Sequence, residues 1–173
     1  RAALARAVKP DDVHSARSRL LTLENAWHGR VLDPEYVSAA TSWARAQGLA
    51  THLDGARIFN AAIASGRTPA ALVEGFDTVS ICLSKGRGAP VGSVLVGTAQ
   101  VIACARRWRK MLGGGMRQSG VLAAAALHAL DHHVDRLAED HARAARLAKG
   151  LGRARAIEVR ACHTNMVFID VPL

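Results

Sequence analysis

Two residues able to do chemistry stand at the ends of apolar runs. Asp54 closes the run in His52-Leu53-Asp54-Gly55-Ala56-Arg57, where a carboxylate has no packing role. Lys85 follows the β-branched run Thr78 to Leu83, in a loop that also holds Gly86, Gly88 and Pro90. Read singly, Asp54 is equally an N-cap for a helix starting near Ala56, and Lys85 is a lysine that snorkels to water. Read as a pair on two strand tips facing one crevice, they offer an amine for imine formation and a carboxylate that keeps a pyridine nitrogen protonated. Pyridoxal phosphate requires that combination of a protein.

Other reactive side chains carry less. His128, His132, His133 and His141 cluster in an alanine-rich stretch, and the step from His128 to His132 is a possible metal spacing. No third ligand falls at a convincing position, so a solvated helix face and no metal site are expected. Cys82, Cys104 and Cys162 are odd in number, far apart and free of any Cys-x-x-Cys pair, which gives neither a disulfide framework nor a zinc ribbon. Reduced thiols in a cytoplasmic protein are the expectation.

The elements that must position Asp54 and Lys85 alternate along the chain. Arg19 to Glu24 reads as a buried strand, and Pro34 opens a helix with Asp33 as N-cap and Val37, Ala40, Trp43, Ala44 and Leu49 at helical spacing. Ala50 to Leu53 is a second strand and Arg57 to Ser65 a helix; Thr68-Pro69 caps another helical turn, and Thr78 to Leu83 is a third strand. Ser93 to Val96 reads as a strand, Thr98 to Lys110 as an amphipathic helix, and Ser119 to Leu151 as one or two helices beyond Gly113-Gly114-Gly115. Ile157 to Arg160 and Met166 to Val171 alternate like strands of a smaller following domain. The pattern predicts an α/β fold, a mostly parallel sheet with helices on both faces, with residues 1–135 in a large domain and 136–173 as a connecting helix and the start of a small α+β domain. In such sheets functional groups gather beyond the carboxyl ends of the strands, here Glu24-Asn25, Asp54 to Arg57 and Ser84-Lys85.

The formal charge of +9 invites a polyanion partner. The basic residues are largely mixed with acids and alanines, as in Asp135-Arg136-Leu137-Ala138-Glu139-Asp140, rather than set in a long run with several stacking aromatics; Trp108 alone interrupts the short run Arg106 to Lys110. A solvated surface and no nucleic acid are expected. With half its residues apolar and 21% charged, the chain has the composition of a folded globular protein. The longest apolar stretch, Val121 to Leu130, is broken by His128 and too short for a bilayer, so no membrane partner is expected. The chain begins at Arg1 and ends on a strand-like run, and so reads as a segment of something longer.

Three stretches together carry a resemblance: HLDGARIFNAA (52–62), CLSKGRGAPVGSVLVG (82–97) and RRWRKMLGGGMRQSG (106–120). They resemble the low-specificity L-threonine aldolases, of the aspartate-aminotransferase-like fold family, and similar pattern and spacing run from about Lys9 to Val171. The resemblance implies pyridoxal phosphate as cofactor, held by Lys85 as a Schiff base, with Asp54 at the pyridinium nitrogen. It implies that Arg57 binds the substrate carboxylate, for which a planar guanidinium fork is suited. His14 matches a family histidine near the substrate hydroxyl, and Lys110 and Arg117 match a basic pair near cofactor or substrate. The implied activity is retro-aldol cleavage of a β-hydroxy-α-amino acid, L-threonine or L-allo-threonine, to glycine and an aldehyde, by a homotetramer.

One departure bears on the substrate. The family reads Leu-Glu-Asn-Thr-His-Asn after the first strand, whereas Leu23-Glu24-Asn25 is followed here by Ala26-Trp27-His28. The glycine-rich segment for the phosphate and a ring-stacking histidine are expected before Arg1, and a second carboxylate-binding arginine after Leu173. Other reactions of the same cofactor, β-elimination or transamination, use Lys85 and Asp54 equally. A non-catalytic basic binding module is the rival from another class.

Overall fold

The computed structural model describes residues 2–172. Its centre is a sheet of β1 (Leu20–Glu24), β2 (Ala50–Asp54), β3 (Thr78–Cys82) and β4 (Ser93–Gly97), neighbours in that order. β1, β2 and β3 are parallel, and β4 returns antiparallel beside β3 with Cys82 opposite Ser93. The reversal has a simple cause. A parallel neighbour needs a crossover of roughly a dozen residues or more, commonly a helix, and only the loop 83–92 joins β3 to β4. β4 ends the sheet, and all five of its residues are exposed.

The helices are α1 (Ala2–Ala7), α2 (Pro34–Ala46), α3 (Ile58–Ser65), α4 (Pro69–Leu72), α5 (Ala99–Met111), α6 (Gly120–His132) and α7 (Leu137–Leu151). A separate antiparallel pair joins β5 (Glu158–His163) to β6 (Met166–Asp170). α2 begins as its sequence dictates: Asp33 Oδ1 accepts the Glu35 amide at 2.9 Å, with Pro34 in the first turn. Sequence patterning does not anticipate α1, and the helix expected from Arg57 starts at Ile58. Of the one or two helices expected in the alanine-rich region after Ser119, the structure has two.

Side chains on each strand alternate between two faces, and the register separates them by polarity. Leu21 packs with Ala40, Ala44 and Leu49 under α2, joined by Leu4 and Val8. Leu53 and Val79 pack with Ile58, Ala61, Ala62 and Leu72 under α3 and α4. The opposite face carries Thr22, Glu24, His52, Asp54, Thr78, Ser80 and Cys82, none of them buried. His52 Nδ1 and Thr78 Oγ1 meet there at 2.8 Å.

α7 ties the two sheets together. It packs on α3, where Asn60 Nδ2 and His141 Nε2 are 3.1 Å apart, and also against β5 and β6. Among the described residues no helix is long and apolar enough to cross a membrane.

Candidate active site

β2 and β3 are parallel neighbours, so Asp54 and the loop that follows Cys82 leave the sheet at the same end. Asp54 stands opposite Glu24 on one side and Ser80 on the other, on the polar face. Its carboxylate is exposed, and Oδ1 accepts the Ala56 amide at 3.0 Å. This bond closes a turn; the N-cap position of α3 belongs to Arg57, which makes no side-chain capping bond. Gly55 holds the tip against β3, its amide donating to Ser80 O at 2.8 Å. A Cβ there would stand 3.0 Å from both Ser80 O and Val79 Cγ1, which is why a glycine follows the aspartate.

Lys85 is exposed in a loop closed by its own backbone. Gly88 N donates to Lys85 O at 2.8 Å, Ala89 N to Leu83 O at 3.2 Å, and Leu83 N to Gly92 O at 2.9 Å. Two further elements clamp the loop. His133, just past α6, places Nδ1 2.6 Å from Arg87 O, and the Arg87 guanidinium lies over the Phe59 ring of α3 at 4.3 Å. Arg87 is only 4% exposed; that burial pushes its pKa down. Cys82 shares the polar face. Its burial alone would raise the thiol, but bonding with Ser84 and Ser93 and the charge of Lys85 prevail, so its pKa sits below the ordinary value.

Arg57 follows the Asp54 turn and starts α3, and its Nε is buried with no hydrogen-bond partner. A buried donor left unpaired costs free energy, and an arriving anion would relieve that cost. At the strand tips an open hollow of 510 Å³ is walled by Glu24, Trp27, Tyr36, Asp54 and the side chains of Leu23 and Leu32. Lys85 and Arg57 are not among its walls. A larger hollow of 720 Å³ lies between α2 and α4 and holds none of the three charged residues.

The remaining residues singled out by sequence stand apart. His14 lies on the exposed segment before β1, with its side chain 81% exposed and its Nδ1 3.8 Å from Asp12 Oδ1. Lys110 lies in the last turn of α5 and folds over Gly115, and Arg117 is exposed in the turn before α6. None of the three lines the hollow beside Asp54. Among the described residues no group of three or more His, Cys, Asp or Glu side chains gathers as a metal site. The rings of His128 and His132 are 4.5 Å apart on α6. Sequence reasoning missed Arg87 and His133 as clamps of the lysine loop; the glycines that flank Arg87 were the available signal.

A mostly parallel sheet with an acid, an amine and an arginine of unpartnered Nε following its carboxyl tips is an α/β architecture of the kind that gathers functional groups at its strand ends. The chain belongs to the Beta-eliminating lyase family, whose model matches residues 1–173. It is 52% identical over 168 residues to the low specificity L-threonine aldolase of Escherichia coli O157:H7, covering 97% of this chain and 50% of that protein. It is 48% identical over 159 residues to low-specificity L-threonine aldolase 1 of Arabidopsis thaliana, covering 89% and 44%. The chain spans about half the length of these relatives. The solved threonine aldolase of Leishmania major shares the fold, with a TM-score of 0.78 at 20% identity over 94% of this chain and 49% of that one.

Proposed function

We propose that the complete protein is a pyridoxal-phosphate-dependent aldehyde-lyase that cleaves a β-hydroxy-α-amino acid, L-threonine or L-allo-threonine, to glycine and an aldehyde. The observation that carries this reading is the exit of Asp54 and Lys85 from neighbouring parallel strands at one end of the sheet. The residues present fit the cofactor. Lys85 is an exposed amine on a clamped loop, Asp54 is an exposed carboxylate, and Arg57 holds an unsatisfied buried donor.

When bound, pyridoxal phosphate supplies an aldehyde that captures amines and a protonated ring that accepts an electron pair. Lys85 provides the amine that anchors it, and Asp54 holds the proton on its ring nitrogen. Arg57 binds and orients the substrate carboxylate through its planar fork. By its match to the family histidine, His14 is the proposed acceptor of the β-hydroxyl proton in the complete protein, directly or through water, although in this chain it stands exposed and apart from Asp54. The Cα–Cβ bond breaks with its pair left on Cα, the β-carbon departs as aldehyde, and Cα takes up a proton to give glycine. Lys110 and Arg117 add positive charge near cofactor or substrate.

The name of the family favours a second reaction on the same residues, β-elimination, in which ammonia and a keto acid appear instead of an aldehyde. Adding threonine to the full-length protein and measuring acetaldehyde against keto acid separates the two. The Lys85→Ala form should lose both the visible absorbance that pyridoxal phosphate gives the wild type and the activity; retained turnover would overturn the assignment. Absence of that absorbance in the wild type would favour a non-catalytic binding module.

The protein is further proposed to be a cytoplasmic homotetramer. The free thiols of Cys82, Cys104 and Cys162 support a reducing compartment. Exposed Trp108, Met111, Leu112 and Met116, along and after α5, support burial against further copies. Sedimentation of the full-length protein measures the assembly.

A further inference from the structure

α6 carries a histidine pair that the residues at the strand tips leave unused. Its inward face packs Ala126 and Ala129 on Leu83 and Ala89, which flank Lys85. His128 and His132 are both exposed and four residues apart, a spacing at which consecutive helical turns bring side chains together. Their ring centroids lie 4.5 Å apart with the planes tilted by 46°. Two imidazole nitrogens on one Zn2+ ion sit about 2.0–2.1 Å from the metal and hence roughly 3.3 Å from each other, a spacing that rings at this separation reach by small side-chain rotations. His132 is also the last residue of α6, and the free carbonyls at a helix C-terminus favour a positive charge.

The next residue, His133, is committed elsewhere. Its Nδ1 lies 2.6 Å from Arg87 O, and because a carbonyl only accepts, Nδ1 carries the proton. That bond clamps the loop of Lys85, and the His133 ring meets His128 edge-on at 5.3 Å. Among the described residues no set of three His, Cys, Asp or Glu side chains converges, so a cation on the pair completes its coordination with water. Two imidazoles suit zinc, which has no geometric preference of its own, and do not suit magnesium or calcium, which take oxygen ligands.

We propose that His128 and His132 form a two-histidine site for an exchangeable Zn2+ ion, which staples the last turn of α6 and so steadies His133 against the loop of Lys85. Helix ends fray, and a chelate across one turn opposes fraying in the segment that runs directly into the His133 clamp. Neither histidine lines the hollow at Asp54, so the ion takes no part in the bond cleavage proposed there.

The test uses the full-length holoenzyme without a polyhistidine tag, titrated with zinc chloride in a calorimeter. The wild type should bind the ion, and binding should weaken as the solution is acidified, since only the neutral imidazole ligates. His128→Gln and His132→Gln should each lower the affinity by about tenfold or more, because even the outer partner of a metal ligand is worth that much. Cys104→Ser, which removes an exposed thiol able to take zinc, should leave the affinity unchanged. Zinc should raise the denaturation midpoint of the wild type by linkage and not that of His132→Gln; magnesium chloride should raise neither. Without metal, both glutamine variants should keep the wild-type midpoint, which shows that α6 still folds. A wild type that binds no zinc, or equally tight binding by both histidine variants, overturns the site. Binding with an unchanged midpoint overturns the staple.

Discussion

Arg57 is the side chain on which the proposed carboxylate binding is most directly tested. Its buried Nε has no partner, and an unsatisfied buried donor costs about 1–3 kcal/mol, more when charged. In the full-length enzyme, Arg57→Lys should raise KM for the amino acid by about tenfold or more with a smaller loss in kcat, because an ammonium cannot reproduce the two-pronged contact. Steady-state kinetics measures both, and an unchanged KM would remove Arg57 from carboxylate binding. The strand-end positions of Asp54 and Lys85 were legible in the sequence because each follows an apolar run of strand length. Arg87 was not legible. Basic residues lie at the surface by default, and its burial arises from Phe59, on a helix the local sequence cannot place beside it.

Among the elements, the strands and most helices were legible from period and caps, since Asp33, Thr68 and Thr98 each accept an amide at the start of a helix. Asp33→Ala should therefore destabilise the protein by about 1 kcal/mol, read from the denaturation midpoint. The reversed direction of β4 escaped notice, although the short loop before it left no room for a crossover. α7 adds a pH dependence. Burial lowers the pKa of His141, against a smaller opposing pull from Asp140. The folded protein thus keeps this imidazole neutral at pH values where the unfolded chain protonates it. Its stabilising share is complete above the unfolded value of about 6.5 and is lost as pH falls through the folded one. Denaturation midpoints of the wild type should drop more steeply than those of His141→Gln below that point; parallel curves would show that the α3–α7 contact does not titrate.

Across the whole molecule, the least legible feature is the docking of the loop 25–30 on the β5–β6 turn, a contact between segments more than 130 residues apart. No local pattern encodes it, and it holds the loop that carries Trp27 beside the hollow at Asp54.

Sheet termini also carry a hazard. β4 reads Ser-Val-Leu-Val-Gly, carries no charge, and is the last strand of its sheet. Nothing along it repels a like strand, and natural sheets usually blunt such borders with lysine, proline or a bulge. Expressed by itself, this 173-residue stretch should template its own copies into fibres that bind thioflavin. Leu95→Lys should slow their appearance, and a stretch that stays monomeric at high concentration would show the border to be shielded. Purification trials will meet that stickiness before they meet any catalysis.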